Sequence, residues 1–320
     1  MSKRAIAVLV PGADGSGGID AIRQLSGSGL GCRVVAVDRN RRSRGFHFSD
    51  SSYVIEDFTN ESNFEAFTAI LVHENVKVIL PISLSSTLAI AERREQLEEI
   101  GVVFVASDTK TIRLCDDKLA FYLHVQAEFG VPQLLSIDGP PHVFPCFVKP
   151  RHGSGGIGAS LCRSLDDWRF CSRTLVEPLA QEYLPGEEFS VDVLSDLDGV
   201  PLIAVPRRRL VVREGITVVG QVVRDRRLEA LCLQMAEFLN LKGVSCMQLR
   251  RRTSGEFVFI DVNPRHGGSS QISSHAGLDL AVLAVKLGLN MPILLPEVRE
   301  TTVIRYYTSV ASAHPSFTGT

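Results

Sequence analysis

A lysine followed by a glycine-rich stretch has the residue types needed to bind a phosphate group. The stretch reads FVKPRHGSGGIG, with Lys149 at the end of an apolar run and four glycines between residues 153 and 158. Pro150 prevents a helix from continuing through this point, and the glycines leave backbone N–H groups free to turn toward an anion. The spacing differs from that of a Walker P-loop. A glycine-rich connection between two strands instead predicts a mobile phosphate-binding flap, with an ordinary flexible hairpin as the alternative.

A second stretch, MQLRRRTSGEFVFIDVNPR, places oxygen ligands on one face of a predicted hairpin. If the turn centres on Ser254, Gln248 and Asp261 lie opposite each other. Asn263 shares the face of Asp261 because it is two residues away in a strand. Such hard oxygen ligands suit Mg²⁺, and the planar fork of Arg265 suits phosphoryl oxygens. The alternative is that Asp261 caps the strand end and pairs with Arg265.

The stretch EPLAQEYLPGEEF interrupts a predicted strand with a Pro–Gly turn. An interrupted strand edge at Glu182–Leu184 leaves backbone donors and acceptors for a flat heterocycle, and Glu188 follows as an acceptor for ribose hydroxyls. The alternative is a solvated, acid-rich turn.

The opening segment VLVPGADGSGGIDAIRQL carries a different glycine pattern. Gly12, Gly15 and Gly18 form G-x-x-G-x-x-G, and Asp38 lies 20 residues after Gly18. An acid at this distance binds the ribose in dinucleotide-binding units. The glycines equally suit a tight turn that lets a helix pack on a strand, so this segment alone leaves both interpretations open.

The elements that position these motifs change in character along the chain. Strands are predicted at 5–10, 33–38, 76–81 and 102–106, with helices near 19–26, 61–74 and 84–100, which favours a parallel sheet covered on both faces. Later strands are predicted at 143–149, 159–163, 175–184, 189–194, 202–210, 244–250 and 257–262. An amphipathic helix is predicted near 224–241 and a last helix at 278–287.

Composition excludes several classes of protein. The 320 residues carry a formal net charge of −2, with 45% hydrophobic and 22% charged residues, so neither nucleic acid nor an anionic membrane is an expected partner. No apolar stretch approaches the roughly 20 residues of a spanning helix. The seven cysteines are scattered without a CxxC pair, which favours small core residues and a cytoplasmic location.

The motifs occur in a specific order: Lys118 in CDDKLAFY, Lys149 in FVKP, the glycine loop, QEYLPGEE, Gln248, FIDVNPR and SSQISSHAG. In this order they resemble the ATP-grasp superfamily, in the branch of carbamoyl-phosphate synthetase large subunits, biotin carboxylase and related carboxylate–amine ligases. The resemblance implies an α/β protein. A Rossmann-like pre-ATP-grasp domain at 1–106 would precede a two-lobed α+β ATP-grasp fold. The small lobe, with the flap, would span 107–180, and the large lobe, with the Mg-ATP site, 181–320.

The resemblance also implies ATP and Mg²⁺ as cofactors and a role for each motif. The residues implied to bind ATP are Lys118 and Lys149 at the phosphates, Gly153, Ser154, Gly155 and Gly156 in the flap, Glu182, Tyr183 and Leu184 at the adenine, and Glu188 at the ribose. The implied metal ligands are Gln248, Asp261 and Asn263. The implied catalytic residues are Arg265 and Asn263. The basic run PRRRLVVREG contains Arg207, Arg209 and Arg213 and would suit an anionic intermediate or substrate, with a solvated edge as the alternative. We therefore also predict a catalytic role for Arg209.

The activity implied by the resemblance is that of an ATP-dependent carboxylate–amine ligase, which joins a small-molecule carboxylate to an amine through an acyl phosphate. The alternatives are a bicarbonate-activating carboxylase or carbamoyl-phosphate-type enzyme, a nicotinamide-dependent reductase using Gly12–Gly18 and Asp38, and a non-catalytic nucleotide-binding regulator. Many relatives carry glutamate where Gln248 and Asp261 stand, which leaves the number of Mg²⁺ ions open. In this family the N-terminal domain lines the acceptor pocket, so Gly12–Gly18 would face a substrate. Homodimers are common in this family, but no residue of this sequence indicates one by itself.

Overall fold

Strands and helices alternate through the first hundred residues. The computed structural model describes residues 6–136, 139–153 and 155–311. The alternation predicted a parallel sheet, and the structure has one, with five strands in the order β3-β2-β1-β4-β5. The strands are Ile6–Pro11 (β1), Cys32–Asp38 (β2), Ser51–Val54 (β3), Val76–Ile79 (β4) and Val103–Phe104 (β5). The helices between them are Ser16–Gly27 (α1), Glu61–His73 (α2), Leu84–Ala91 (α3) and Arg94–Glu99 (α4).

Two features of this region differ from the prediction. The edge strand β3 was not predicted, because its sequence SSYV shows no apolar alternation. The single helix predicted at 84–100 is two helices, α3 and α4, although no glycine or proline separates them. Hydrogen bonds at the break hold the two parts: Arg93 NH1 donates to Phe58 O at 3.3 Å and Arg94 NH2 donates to Ala106 O at 2.7 Å.

The middle of the chain contains a four-stranded antiparallel sheet in the order β6-β9-β7-β8. Its strands are Leu134–Ser136 (β6), Cys146–Pro150 (β7), Ser160–Cys162 (β8) and Pro178–Glu182 (β9), and its helices are Thr109–Asp116 (α5), Lys118–Val125 (α6) and Leu165–Thr174 (α7). The glycine loop connects the antiparallel neighbours β7 and β8, as predicted. The short strand β6 was not predicted.

A six-stranded antiparallel sheet completes the fold in the order β14-β13-β10-β11-β12-β15. Its strands are Glu188–Ser195 (β10), Pro201–Arg213 (β11), Ile216–Val222 (β12), Gly243–Arg251 (β13), Phe257–Asn263 (β14) and Thr301–Ile304 (β15). The helices are Arg226–Phe238 (α8), Gln271–His275 (α9) and Leu280–Gly288 (α10). The predicted amphipathic helix is α8, which the Asp225 side chain caps. It buries Leu228 and Met235 against the sheet, whereas Phe238 is 42% exposed.

The hydrophobic core joins the parallel sheet to the six-stranded sheet. Val8 and Val10 of β1 pack in one cluster with Val244 of β13 and Leu283 of α10. A second cluster lies between α6, α8 and the six-stranded sheet, and a small separate cluster around Trp168 lies inside the four-stranded sheet and α7. The two antiparallel sheets therefore have largely separate cores, with α6 near both.

The structure is a mixed α/β fold with one parallel and two antiparallel sheets. The domain boundaries at 106 and 180 stay predictions, because sheet membership does not define independently folding units. Within the described residues, no helix has the length and apolar character needed to cross a membrane. All seven cysteines are free thiols, and only Cys32 is not fully buried.

Candidate active site

A cavity of about 270 Å³ lies between the four-stranded and six-stranded sheets. Residues from both sheets and from the β7–β8 loop line it. The predicted site residues in its lining are Lys118, Lys149, Gly153, Gly155, Gly156, Glu182, Tyr183, Leu184, Glu188, Arg209, Gln248 and Asp261. Ser154, which was also predicted to bind phosphate, lies outside the described residues.

Lys118 is the first residue of α6, and the start of that helix is firmly held. The Asp117 side chain caps α6 by accepting from Ala120 N at 3.0 Å, and Arg151 NH2 donates to it at 2.6 Å. The hydrogen bond from Arg151 lowers the pKa of Asp117 to about 2, against the effect of partial burial. Lys118 Nζ then donates to Gly153 O at 2.6 Å, so this ammonium contacts the glycine loop directly.

Lys149 is the next-to-last residue of β7, and only 7% of the residue is exposed. Its Nζ donates to Tyr122 OH at 2.6 Å and to Ile260 O at 2.8 Å. Burial lowers the pKa of Lys149 to about 7, opposed by Asp261 and reinforced by Lys118. A buried cation of this kind is available to neutralise a phosphate that enters the cavity.

The glycine loop rests on the turn between β11 and β12. Gly153, Gly155 and Gly156 have φ values of +109°, +74° and +71°, conformations that other residues rarely adopt. The contact with the turn is tight, since a Cβ on Gly215 would lie 1.9 Å from Gly155 O. Only glycine therefore fits at position 215.

The β13–β14 hairpin has the predicted register. Gln248 pairs with Asp261 across the hairpin, so the counting argument from the sequence is confirmed. Asn263 Nδ2 donates to Asp261 Oδ2 at 2.7 Å, which places the carboxylate and the amide on one face. Arg265 NH2 donates in turn to Asn263 Oδ1 at 2.9 Å.

Asn263 and Arg265, which were also predicted site residues, are not part of the cavity lining, and Asn263 contacts the lining residue Asp261. Arg265 does not pair with the Asp261 carboxylate directly, as the alternative interpretation required, but reaches it through Asn263. Its other hydrogen bond runs from NH1 to His266 O at 2.8 Å. Burial lowers the pKa of Arg265.

Glu188 is neutralised by two arginines. Arg250 NH2 donates to Glu188 Oε2 at 2.6 Å, and Arg209 Nε lies 2.9 Å from Glu188 Oε1. Arg209 also donates through NH1 to Ser190 Oγ at 3.1 Å and through NH2 to Gly215 O at 2.9 Å. Arg209 therefore links Glu188 to the turn on which the glycine loop rests.

The segment that follows β9 is also fixed by arginines. Glu182 Oε1 accepts from Gln133 N at 2.8 Å and from Arg252 NH2. Arg250 NH1 donates to Leu184 O at 2.8 Å. Residues 182–184 line the cavity, at the strand interruption that the sequence predicted.

Known proteins are similar to this chain in sequence. The family model for an ATP-grasp in the biosynthetic pathway with Ter operon matches residues 174–310. The D-alanine–D-alanine ligase of Thermotoga petrophila is 27% identical over 125 residues, which are 35% of this chain and 41% of that ligase. The carbamoyl phosphate synthase large chain of Rubrobacter xylanophilus is 24% identical over 304 residues, which are 85% of this chain and 28% of the relative. The chain is thus similar to ATP-grasp proteins, over residues 174–310 for the family model and over most of its length for the carbamoyl phosphate synthase.

Solved structures give the same fold. The biotin carboxylase domain of Hydrogenobacter thermophilus 2-oxoglutarate carboxylase, a dimer in complex with MgADP, ADP and bicarbonate, aligns with a TM-score of 0.72 at 18% identity. The alignment covers 92% of this chain and 72% of that one. Biotin carboxylase from Campylobacter jejuni aligns with a TM-score of 0.69 at 17% identity, over 91% and 72% of the two chains. This chain spans less than half the length of each of the two curated relatives named above.

The N-terminal glycine loop is held in shape by Asp38. Asp38 Oδ2 accepts from Asp14 N at 2.8 Å, and Asp38 Oδ1 accepts from Asn40 N at 2.9 Å. Both carboxylate oxygens therefore bind the backbone of the loops that flank β1 and β2. This use of Asp38 favours the tight-turn interpretation over a ribose contact.

Arg207 differs from what its basic run suggested. Instead of facing an anionic substrate, its side chain is fully buried, and NH2 donates to Asp192 Oδ1 at 2.7 Å. NH1 donates to Ser269 O at 2.9 Å. Arg213, by contrast, is exposed, so of the three arginines only Arg209 reaches the cavity.

Residues in and beside the cavity that the sequence analysis missed include Arg250, Gly215 and Tyr122. Arg250 and Gly215 line the cavity, and Tyr122 lies directly behind Lys149. Arg250 has a sequence signal, because it is two residues from Gln248 on the same face of β13. Tyr122 has one too, because it is four residues from Lys118 on α6. Gly215 had none beyond its place in a Glu–Gly turn.

Proposed function

We propose that this chain is an ATP-dependent carboxylate–amine ligase that forms an amide or peptide bond and releases ADP and phosphate. The observation that carries the proposal is the composition of the cavity. Lys118 and Lys149 share it with Gln248 and Asp261, beside a loop of positive-φ glycines. Cations and hard oxygen ligands in one cavity suit a nucleoside triphosphate with its metal ion.

The nucleotide would lie with its phosphates at Lys118 and Lys149. Backbone N–H groups of Gly153, Ser154, Gly155 and Gly156 would cover the phosphates. The adenine would meet the backbone at Glu182, Tyr183 and Leu184, and the ribose would meet Glu188. The ion pairs of Glu188 with Arg209 and Arg250 support this assignment, because they hold its carboxylate in one position at the cavity wall.

The oxygen ligands fit Mg²⁺. Gln248, Asp261 and Asn263 offer amide and carboxylate oxygens from neighbouring strands. These three side chains would supply only part of a coordination shell. Mg²⁺ suits such a site because it keeps water molecules and binds phosphate oxygens. When bound, it would neutralise charge on the phosphates.

The chemistry would proceed in two steps. An oxygen of the substrate carboxylate attacks the γ-phosphorus of ATP, which gives an acyl phosphate and ADP. The amine then attacks the acyl carbon and expels phosphate. Phosphoryl transfer needs positioning and charge neutralisation rather than a protein nucleophile. Arg265 and Arg209 would stabilise the transferring group, with Asn263 holding Arg265.

The remaining assignments complete the proposal. Residues 1–106 would form a Rossmann-like pre-ATP-grasp domain that lines the acceptor pocket, with Gly12–Gly18 facing the substrate. Ser16 Oγ, which donates to Gly268 O at 2.6 Å, supports this, because it brings that loop next to the segment after Arg265. We extend the proposal to a cytoplasmic homodimer, since a dimer is described for the Hydrogenobacter thermophilus domain.

The test is ADP release from Mg-ATP with a panel of carboxylic acids, with and without amines. The proposal expects release that needs both an acid and an amine and that Lys149→Met and Asp261→Asn abolish. Release that needs only bicarbonate would replace the ligase with a bicarbonate-activating enzyme. NAD binding without ATP binding, or nucleotide binding without turnover on any panel, would overturn the proposal.

A further inference from the structure

Tyr122 is a fully buried residue whose hydroxyl touches the cavity lysine. Its exposure is 1%, and it is not part of the cavity lining. Tyr122 lies four residues after Lys118 on α6, so both side chains emerge from the same face of that helix. α6 therefore presents one lysine to the cavity and one phenol to the other lysine.

The Tyr122 hydroxyl has three polar neighbours from three different strands. Lys149 Nζ of β7 donates to it at 2.6 Å. Ile260 O of β14 lies 2.9 Å away and Gln181 Oε1 of β9 lies 3.1 Å away. The Ile260 carbonyl oxygen and Gln181 Oε1 can only accept hydrogen bonds, so the single phenolic proton points toward these two oxygens. A lone pair of the phenol oxygen is thereby turned toward the ammonium.

The ammonium of Lys149 has three N–H bonds. Among the described residues, Tyr122 and Ile260 accept two of them. The third is left for a group inside the cavity, which Lys149 lines. We propose that Tyr122 is a positioning residue that fixes the direction of the Lys149 ammonium, so that its free N–H bond meets a phosphate.

The same contacts join the two antiparallel sheets. Lys149 and Gln181 belong to the four-stranded sheet, whereas Ile260 belongs to the six-stranded sheet. The Tyr122 hydroxyl therefore sets the position of Lys149 relative to the strand that carries Asp261. Burial raises the pKa of Tyr122, so the phenol keeps its proton. Lys149 Nζ also lies over the aromatic ring of Tyr122, 5.1 Å from the ring centroid. This contact further restricts the position of the ammonium.

This inference rests on the proposed nucleotide site, and the test separates the two. The affinities of MgADP and of adenosine are measured by calorimetry for the full chain and for Tyr122→Phe, Lys149→Met and the double variant. Phenylalanine keeps the ring in place and removes only the hydroxyl. Tyr53→Phe is the matched control, because its hydroxyl also donates to a protein acceptor, Glu74, but lies in the parallel sheet.

We expect Tyr122→Phe to lower the affinity for MgADP roughly tenfold. The affinity for adenosine should stay unchanged, since adenosine has no phosphate. In the Lys149→Met background, Tyr122→Phe should have no further effect on MgADP. Tyr53→Phe should bind both ligands like the original chain. Equal weakening of MgADP and adenosine, unchanged MgADP binding, or additive effects of the two substitutions would overturn the inference. If the original chain bound no MgADP, the proposed function would fail and this inference with it.

Discussion

Lys149 is a cation whose charge depends on pH in the range where enzymes work. Burial lowers its pKa to about 7, so the charged form dominates below pH 7 and is lost as the pH rises. A phosphate binds the charged form, and its arrival raises the pKa of Lys149 in the complex.

MgADP affinity should therefore fall several-fold between about pH 7 and pH 9 in the original chain. Lys149→Arg keeps its charge throughout this range, so its affinity should be weaker overall and nearly independent of pH. Titration calorimetry at a series of pH values measures both. An equal pH dependence in the two proteins would show that another group controls binding.

At this scale, the sequence predicted residues that depend on local spacing. Gln248 and Asp261 were found because the length of a hairpin determines which residues face each other. Tyr122 was not found, because an aromatic residue among apolar neighbours in a helix looks like core. Its function depends on contacts with residues 27, 59 and 138 positions away in the chain, which no local pattern contains.

The β11–β12 turn and the glycine loop form a contact between two elements. Gly215 has a φ of +72° and approaches Gly155 O so closely that a Cβ would lie 1.9 Å from it. Gly101 has almost the same φ, +71°, but a Cβ there would meet no atom within 4 Å. The two glycines thus share a left-handed backbone conformation, but only Gly215 contacts the glycine loop.

Gly215→Ala should lower the affinity for MgADP roughly tenfold, because the glycine loop must move away from the β11–β12 turn to make room for the Cβ. Gly101→Ala should carry the same cost of about 1 kcal/mol for its backbone conformation and bind MgADP normally. Thermal unfolding and MgADP titration of both variants separate the two effects. Matching losses of nucleotide affinity would mean that the loop contact is unimportant for binding.

Elements were predictable where pattern and connection were local. The parallel sheet followed from alternating strands and helices, and α8 from its apolar stripe. The strand β15 was missed because its four residues become a strand only by pairing with β12, about eighty residues earlier. The division of the predicted helix 84–100 was missed for a similar reason, since tertiary hydrogen bonds of Arg93 and Arg94 hold the break.

On the scale of the whole molecule, a buried polar network joins the parallel sheet to the six-stranded sheet. Asp20 of α1 accepts through Oδ2 from Ser270 Oγ at 2.9 Å and from Gln24 Nε2 at 2.9 Å. Burial raises the pKa of Asp20 from 3.8 to about 6, and the nearby Asp192 adds to the shift. The folded chain therefore holds this proton more tightly than the unfolded chain.

Because the folded pKa lies above the unfolded one, the contribution of Asp20 to stability is full below about pH 4 and is lost as the pH rises through about 6. Asp20→Asn removes the charge and keeps an oxygen that accepts from Ser270 and Gln24. It should raise the free energy of unfolding above pH 6 by up to about 3 kcal/mol. Urea unfolding at pH 4 and pH 7.5 tests this, and the gain should be much smaller at pH 4. A variant that is less stable than the original at pH 7.5 would contradict the assignment.

The general arrangement of the molecule was predictable, but the contacts between its parts were not. The order of the motifs indicated an ATP-grasp fold over nearly the whole chain. The network around Asp20 and the buried Arg207–Asp192 pair lay outside any motif, because each joins residues from distant segments. A charged residue such as Arg207, in the basic run PRRRLVVREG, looks solvent-exposed in the sequence. Only the packing of the folded chain buries it.

The most direct test of the account is a crystal structure of this chain with Mg²⁺ and a non-hydrolysable ATP analogue. The account predicts density for the triphosphate between Lys149 and Asp261, with Gly155 and Gly156 above it and the adenine beside Leu184. Density beside Gly15 at the start of α1, together with an empty cavity around Lys149, would contradict it.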